Sequence, residues 1–284
     1  MTELEKYFEY WDKWHKRWHS SALKETFKNN FVYNWSIPVE KKDNYFNPNP
    51  IWRYFPEPFW GKPSKNNLTA VFLNINPGGG GDCQDILSKN ISKSILFATY
   101  KKNRKTYSST VEHLSKNLCY LTSNWFERKR VVWLNKLLNC NNTGIEIKCT
   151  LENILCADLI PWHTPNVNSI IKQYITNNSK LIFDRVINPI TSISQLATFK
   201  GLVFAKGKDT KELFIALNVK QVEHYKNGKF EINLFEHNKA TILIFVGGQG
   251  MSLPNPCEKK YQSENNNTLM SVSEIINKLK DGNT

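Results

Sequence analysis

The chain has no long hydrophobic run. Across its 284 residues, no window approaches the roughly 18 consecutive apolar residues that a membrane-spanning helix needs. The first residues, Met1-Thr2-Glu3-Leu4-Glu5-Lys6, are polar and acidic and lack the basic and then apolar order of a signal peptide. These two absences predict a protein that has no membrane contact and resides in the cytoplasm.

The sequence also has little that would hold a metal. It contains 6 cysteines, and no pair of them has the close spacing of a zinc or iron–sulfur site. In a cytoplasmic protein we expect these thiols to be reduced and mostly buried. We therefore predict no metal and no cofactor. No internal repeat is visible.

What the chain has in excess is positive charge. Its 38 Lys and Arg against 25 Asp and Glu give a net charge of +13, and a basic surface attracts polyanions, most commonly nucleic acid. The alternative is a Lys- and Asn-rich genome that raises lysine content everywhere. Aromatic residues make up 13% of the chain, and aromatic rings beside basic groups are also how proteins stack on exposed bases.

The pattern along the chain predicts an N-terminal helical extension followed by an α/β domain. Aromatic residues at three- and four-residue steps indicate a helix over residues 1 to about 30. A Pro- and aromatic-rich segment then continues to residue 65, and we expect residues 1–65 to pack on a domain spanning 66–284, as a monomer. In that domain apolar strands alternate with helices, which favours a three-layer α/β/α sandwich around a mainly parallel sheet. The predicted strands are 68–72, 151–160, 201–205, 219–224 and 241–246, and the predicted helices are 167–177, 208–216 and 270–280.

Polar residues follow several of these strands at the point where each ends. Asn76-Pro77-Gly78-Gly79 follows the first strand, Asp158 to Pro165 follows the apolar run 154–157 of the second, and Gly247 to Pro256 follows the last. A further strand ends in Lys206-Gly207-Lys208. Because ligands bind at the carboxyl ends of strands in open α/β sheets, we expect these segments to converge on one crevice.

The order of these strand ends resembles the uracil-DNA glycosylase superfamily, in the branch whose first motif is Gly-x-Asn-Pro-Gly. That motif is similar to Leu73-Asn74-Ile75-Asn76-Pro77-Gly78. The family's strand before a Gly-Lys or Gly-Arg is similar to Val203-Phe204-Ala205-Lys206-Gly207-Lys208, and its second motif is similar to Gly250-Met251-Ser252-Leu253-Pro254-Asn255-Pro256. The resemblance covers roughly residues 66–260 and implies a glycosylase-like fold for the α/β domain.

The resemblance implies a catalytic asparagine. In this branch the asparagine of the first motif positions the attacking water, and that role carries over to Asn76. The second motif has Gly250 where the family has a histidine that stabilises the departing base, so Gln249 or His163 is the expected substitute. Asp158 stands where relatives acting on uracil use an asparagine. Since an ionised carboxylate only accepts hydrogen bonds, Asp158 suits the exocyclic amine of cytosine. The alternative is that Asp158 caps a helix or pairs with a lysine.

The remaining expected contacts concern the flipped nucleotide and the DNA backbone. Reaching a base in duplex DNA requires base flipping, and Met251 or Leu253 is the candidate wedge for the gap. The expected base-binding residues are Pro77, Gly78, Gly79, Asp158, Met251 and Ser252, and the expected DNA-binding residues are Lys206, Lys208 and Leu253.

The function predicted from the sequence is that of a monofunctional DNA glycosylase acting on double-stranded DNA and leaving abasic sites. The roomy, glycine-rich and carboxylate-bearing pocket favours a modified cytosine. The chain resembles the anti-phage members of the superfamily, which attack glucosylated hydroxymethylcytosine in viral DNA. Two alternatives stay open: a repair glycosylase for uracil or mismatches, and a DNA-binding protein of the same fold that has lost catalysis.

Overall fold

The structure is a computed structural model that describes residues 1–23, 59–61, 63–75, 130–140, 149–161, 169–228, 230–247, 253–263 and 266–281. The described residues fall into two compact units. The first unit comprises those within Met1–Trp60, Asn74–Leu121 and Cys156–Pro189. The second unit comprises those within Gly61–Leu73, Thr122–Leu155 and Ile190–Thr284.

Helices and strands are interspersed along the described chain, and the last five strands have no helix between them among the described residues. The strands are β1 Phe59–Trp60, β2 Ala70–Asn74, β3 Ile154–Asp158, β4 Leu202–Lys206, β5 Lys220–Asn227, β6 Phe230–His237, β7 Ala240–Val246, β8 Tyr261–Ser263 and β9 Asn266–Met270. The α-helices are α1 Glu3–Leu23, α2 Val132–Leu138, α3 Ser169–Asn177, α4 Ser179–Ile182, α5 Asn188–Ser194, α6 Lys208–Ala216 and α7 Val272–Asp281. A π-helical turn, Phe183–Ile187, joins α4 to α5.

The N-terminal helix of the first unit begins with a capping box. The Glu5 amide donates to Thr2 Oγ1, and the Thr2 amide donates to the Glu5 carboxylate, at 3.2 and 2.7 Å. This arrangement satisfies two amides that the first turn leaves without helical partners. One face of α1 is aromatic and buried. The ring of Tyr7 on this face lies 5.7 Å from that of Phe59 in β1. On another face, the Arg185 guanidinium lies 4.8 Å from the centre of the Tyr10 ring.

The sheet is mixed rather than mainly parallel. In the second unit the strand order is β2-β4-β7-β6-β5-β8-β9, and β4 pairs parallel with β2 and with β7. From β7 onward each described neighbour is antiparallel. In the first unit β1 pairs antiparallel with the second half of β3.

The expectation of a mainly parallel sheet is therefore wrong for the strands from β7 to β9. The reason lies in the short turns that join β5, β6 and β7. Parallel neighbours need a long crossover, whereas two-residue turns join antiparallel ones. Gly228, at φ 51°, follows β5 directly, and Asn238 and Lys239 connect β6 to β7 with φ of 49° and 62°. Such short left-handed turns match the twist of hairpin strands, so β5, β6 and β7 form a meander.

Helices cover both faces of the central strands in the second unit. Trp133 of α2 packs against Phe204 and Phe245 with ring centres 5.5 and 5.6 Å apart. Phe214 of α6 lies 5.7 Å from Phe235, which pairs with Ile242. Because successive side chains of a strand point to opposite faces, Ile242 and Phe245 belong to different faces of β7. The second unit is thus layered as helix, sheet and helix.

No helix within the described ranges has both the length and the apolar character that crossing a membrane requires. The predicted division of the chain at residue 65 and the predicted monomeric state both stay predictions.

Candidate functional site

The first unit brings two of the predicted strand ends side by side. The Leu159 amide donates to the Asn74 carbonyl at 2.9 Å, and the Ile160 amide donates to the Ile75 carbonyl at 3.0 Å. Residue numbers rise together along the pair, so the two segments run parallel as they leave the sheet. Ile75 directly precedes Asn76, and Asp158 directly precedes Leu159. The backbone therefore delivers both segments to the same edge.

Asp158 is the last residue of β3 and is completely buried. Each of its carboxylate oxygens exposes less than 1 Å² to solvent. Burial raises the pKa of the neighbouring Tyr7 phenol, and the negative charge of Asp158 raises it further. A buried carboxylate is costly unless it is stabilised by other groups. Its placement therefore indicates a specific role, either in binding a ligand or in holding α1.

In the second unit, the end of β4 is shaped by a glycine. Gly207 has φ of 111°, a conformation that side chains disfavour, and its amide donates to the Phe245 carbonyl at 2.9 Å. The Lys206 carbonyl accepts a hydrogen bond from Thr210 Oγ1 at 2.8 Å. The chain thus turns sharply from β4 into α6. Lys206 is half-buried, whereas Lys208 is exposed and lies 3.6 Å from the carboxylate of Glu212.

The described end of the predicted second motif and the residue after it are tied to α2. Trp133 Nε1 donates to the Pro254 carbonyl at 2.7 Å, and a disulfide joins Cys140 to Cys257. Leu253, half-buried, begins this segment. The expectation that all cysteines are reduced is wrong for this pair. The two lie 117 residues apart, so spacing in the sequence offers no sign of the bond that the fold creates.

The other predicted site residues all lie outside the described residues. They are Asn76, Pro77, Gly78, Gly79, His163, Gln249, Met251 and Ser252. The predicted positions that the structure describes are Asp158, Lys206, Lys208 and Leu253. Their geometry places Asp158 next to the strand that leads to Asn76, and it places Lys206 and Lys208 on either side of a strand-to-helix turn.

A polar cluster in the second unit was not foreseen from the sequence. Lys211 Nζ lies 2.7 Å and His224 Nε2 lies 3.5 Å from Glu231 Oε2. Hydrogen bonding from Lys211, together with its charge, lowers the pKa of Glu231 although partial burial opposes this. The three groups come from α6, β5 and β6. The signal that could have located them is Asn227-Gly228, a strong hairpin sequence that brings β5 beside β6.

Within the described ranges, no group of three His, Cys, Asp or Glu side chains is close enough together to hold a metal ion. Comparisons of the chain with known protein families, with curated proteins and with solved structures found no match.

Proposed function

We propose that the protein is a DNA glycosylase that hydrolyses the N-glycosidic bond of a flipped-out base. The observation that carries the proposal is the pair of hydrogen bonds from Leu159 and Ile160 to Asn74 and Ile75. They support the expectation that the segments bearing Asn76 and Asp158 leave the sheet together. That arrangement accords with the superfamily resemblance of the sequence, in which one strand end holds the water and the next reads the base.

The chemistry assigned to Asn76 is positioning. Hydrolysis of an N-glycosidic bond passes through an oxocarbenium-like sugar and a departing base that gains negative charge. An amide is a poor base, but it can hold a water at the anomeric carbon, and an aligned nucleophile contributes much of a catalytic rate enhancement. The amides of Gly78 and Gly79 would face the base or a phosphate. Gln249 or His163 would stabilise the departing base.

The chemistry assigned to Asp158 is base recognition. A carboxylate accepts hydrogen bonds and donates none when ionised, so it pairs with the exocyclic amine of cytosine and not with the N3–H and carbonyl pattern of uracil as an amide does. The complete burial of Asp158 makes any hydrogen bond it accepts stronger than one in water. We therefore propose a cytosine-type base, with glucosylated hydroxymethylcytosine of phage DNA as the specific candidate. Cleavage would leave abasic sites in the invading DNA.

We propose that the protein binds the duplex through its net charge of +13 and through the lysines at the end of β4. Lys208, exposed at the start of α6, is suited to a phosphate contact, as is Lys206. Leu253 or Met251 would fill the space that the flipped nucleotide leaves. No lysine stands at the Asn76 position to form a Schiff base with the sugar, so the enzyme is proposed to be monofunctional.

The test is base release by the Asn76→Ala variant on duplexes that the unchanged protein cleaves. We expect base release to fall at least a hundredfold while duplex affinity stays within about twofold, because positioning of the nucleophile is lost and binding to the phosphates remains. Asn74→Ala is the matched control, since it removes the neighbouring amide side chain and keeps the backbone hydrogen bond. Equal activity of Asn76→Ala and the unchanged protein would contradict the proposal. Unchanged DNA binding without base release in any variant would favour a binding protein, for which Gly250 in place of the motif histidine is the supporting observation.

A further inference from the structure

A cleft of about 810 Å³ lies in the second unit at the amino-terminal ends of β4 and β7, beside Gly201 and Thr241. Lys206 and Lys208 lie at the other end of β4, roughly 16 Å away at the usual rise of a strand. The cleft is thus separate from the lysines assigned to the proposed site. Its charged lining comprises Lys200, Lys220, Lys239, Lys280 and Glu236.

The charge of this cleft is positive. Its lysines come from four separate positions along the chain, and Glu236, the one carboxylate among the described lining residues, lies 3.6 Å from Lys220. His237 also lines the cleft, and burial lowers its pKa, so the imidazole is neutral at pH 7. Several ammonium groups on one concave surface repel one another, and that repulsion is relieved when an anion enters.

The floor of the cleft is fixed by the backbone. Gln195 Nε2 donates to the Lys239 carbonyl at 3.0 Å, and the Thr241 amide donates to the Gly201 carbonyl at 2.8 Å. Gly201 has φ of 71°, and a Cβ there would lie 3.1 Å from the Gln195 amide nitrogen. The Lys280 ammonium is also held in place, 4.6 Å from the centre of the Phe199 ring. The lysines therefore project from a surface that is organised before any ligand binds.

Lys239 occupies a backbone conformation that lysine disfavours. It follows Asn238 in a two-residue turn with φ of 62°, the position where glycine is the common residue because it has no Cβ to crowd the carbonyl. Backbone strain at a residue whose side chain is charged and exposed suggests that the side chain has a function such as binding a ligand. This observation is independent of the cleft and its charge, and it points to the same surface.

We propose that this cleft binds the phosphodiester backbone of nucleic acid, as a second contact separate from the proposed catalytic end. Lysines spread along a concave surface suit a chain of phosphates, because each ammonium can neutralise a different phosphate. The cleft carries no assigned role in base release. The proposal goes beyond the proposed function and does not require it, since an unmodified duplex is the ligand.

The test uses the full chain and an unmodified duplex, with affinity measured by fluorescence anisotropy between about 50 and 200 mM salt, the range over which binding to phosphates responds most clearly. The variants are Lys200→Gln and Lys239→Gly, alone and together. We expect the double variant to bind roughly tenfold more weakly and the slope of log affinity against log salt to fall by about 2, because two phosphates are no longer neutralised. Lys65→Gln with Lys180→Gln is the control matched in net charge, and both of these lysines are exposed outside the cleft.

Lys239→Gly keeps the test decisive, because glycine relieves the turn and the variant should melt at a higher temperature. Weaker binding by a more stable protein cannot come from unfolding. Unchanged duplex binding by the double variant would overturn the proposal, as would an equal loss of affinity in the control pair. A third arm uses inorganic pyrophosphate. If it raises the melting temperature of the unchanged protein but not of the double variant, while duplex binding is the same in both, the cleft holds a small phosphate compound and the proposal is wrong.

Discussion

The Leu159 amide donates to the Asn74 carbonyl at 2.9 Å, so the chain after β3 continues alongside the chain after β2. This bond bears on the proposed function because Asp158 directly precedes Leu159 in the chain and Asn76 follows Asn74 by two residues. A strand end normally diverges into a turn. Here the pairing extends beyond the last residue of each strand, so Ile75, which precedes the Asn-Pro-Gly sequence, lies beside the segment that follows the buried Asp158.

The role of Asp158 can be separated from that of its neighbour Tyr7. We predict that Asp158→Asn strongly reduces release of cytosine-type bases, because the exocyclic amine then meets a neutral amide with one accepting oxygen in place of an ionised carboxylate with two. Tyr7→Phe removes the hydroxyl beside Asp158 and keeps the packed ring, so base release should be retained. Base release and melting temperature are measured for both. If Asp158→Asn keeps its activity and only melts earlier, Asp158 holds α1 and does not read a base.

The disulfide between Cys140 and Cys257 predicts a redox-dependent stability. It closes a loop of 117 residues, and a loop of that size gives a stabilisation of about 4 to 5 kcal/mol if the unfolded chain is constrained as an ideal loop. We expect the urea midpoint of the unchanged protein to fall when a thiol reductant is added. The Cys140→Ala, Cys257→Ala double variant should show no such response.

The buried Cys149 offers a control for that measurement, since burial raises the pKa of its thiol to about 11 and keeps it protonated and unreactive. Cys149→Ala should respond to reductant as the unchanged protein does. A double variant as stable as the oxidised protein would show that the disulfide contributes nothing to folding.

Helix α7 is held to β5 by an ion pair that depends on pH. Burial works to raise the pKa of Glu223, but hydrogen bonds from Lys278, Tyr225 and Ser263 lower it overall, and Lys278 Nζ lies 2.9 Å from Glu223 Oε1. A lowered carboxyl pKa stabilises the folded state above the unfolded pKa, and that stabilisation is lost as pH falls through the folded value.

We therefore predict that Glu223→Gln lowers the melting temperature at pH 7 and that the difference from the unchanged protein shrinks below about pH 4, the range in which a glutamate protonates. Melting curves between about pH 3 and pH 7 check this. Glu152→Gln, at an exposed glutamate, is the control and should show no comparable trend. A difference that is constant with pH would mean that the carboxylate charge is not what holds the helix.

The turn between β6 and β7 predicts a stabilising substitution. Lys239 has φ of 62°, and relief of a left-handed conformation by glycine is expected to raise the free energy of unfolding by about 1 kcal/mol. Urea denaturation of Lys239→Gly measures it. Lys200→Gln serves as a comparison that removes the same charge without changing the turn. A loss of stability in Lys239→Gly would show that the lysine side chain packs in a way that outweighs backbone strain.

The sequence was sufficient for the elements whose apolar pattern is continuous. The predicted helix 208–216 coincides with α6, and the predicted strands 201–205 and 241–246 differ by one residue from β4 and β7. The aromatic face of α1 is also confirmed through Tyr7 and Trp11, which are buried. In each case, burial of one or both faces of the element requires apolar residues at regular spacing, and that spacing is visible in the sequence.

The sequence was insufficient where pairing depends on distant segments. Strand β6 was missed although Asn227-Gly228 signals a hairpin, because its alternating Phe230-Glu231-Ile232-Asn233 pattern is short and half polar. That strand makes the sheet mixed. The link between Cys140 and Cys257 and the position of Tyr7 beside Asp158 arise from tertiary packing, which no local pattern encodes.

The decisive measurement is base release from matched duplexes carrying uracil, hydroxymethylcytosine or glucosylated hydroxymethylcytosine, each followed by alkaline cleavage at abasic sites. We predict cleavage of the glucosylated duplex by the unchanged protein and none by Asn76→Ala. Cleavage of the uracil duplex instead would assign the protein to repair and contradict the role given to Asp158. Tight binding of all three duplexes without cleavage of any would contradict the assignment as a glycosylase.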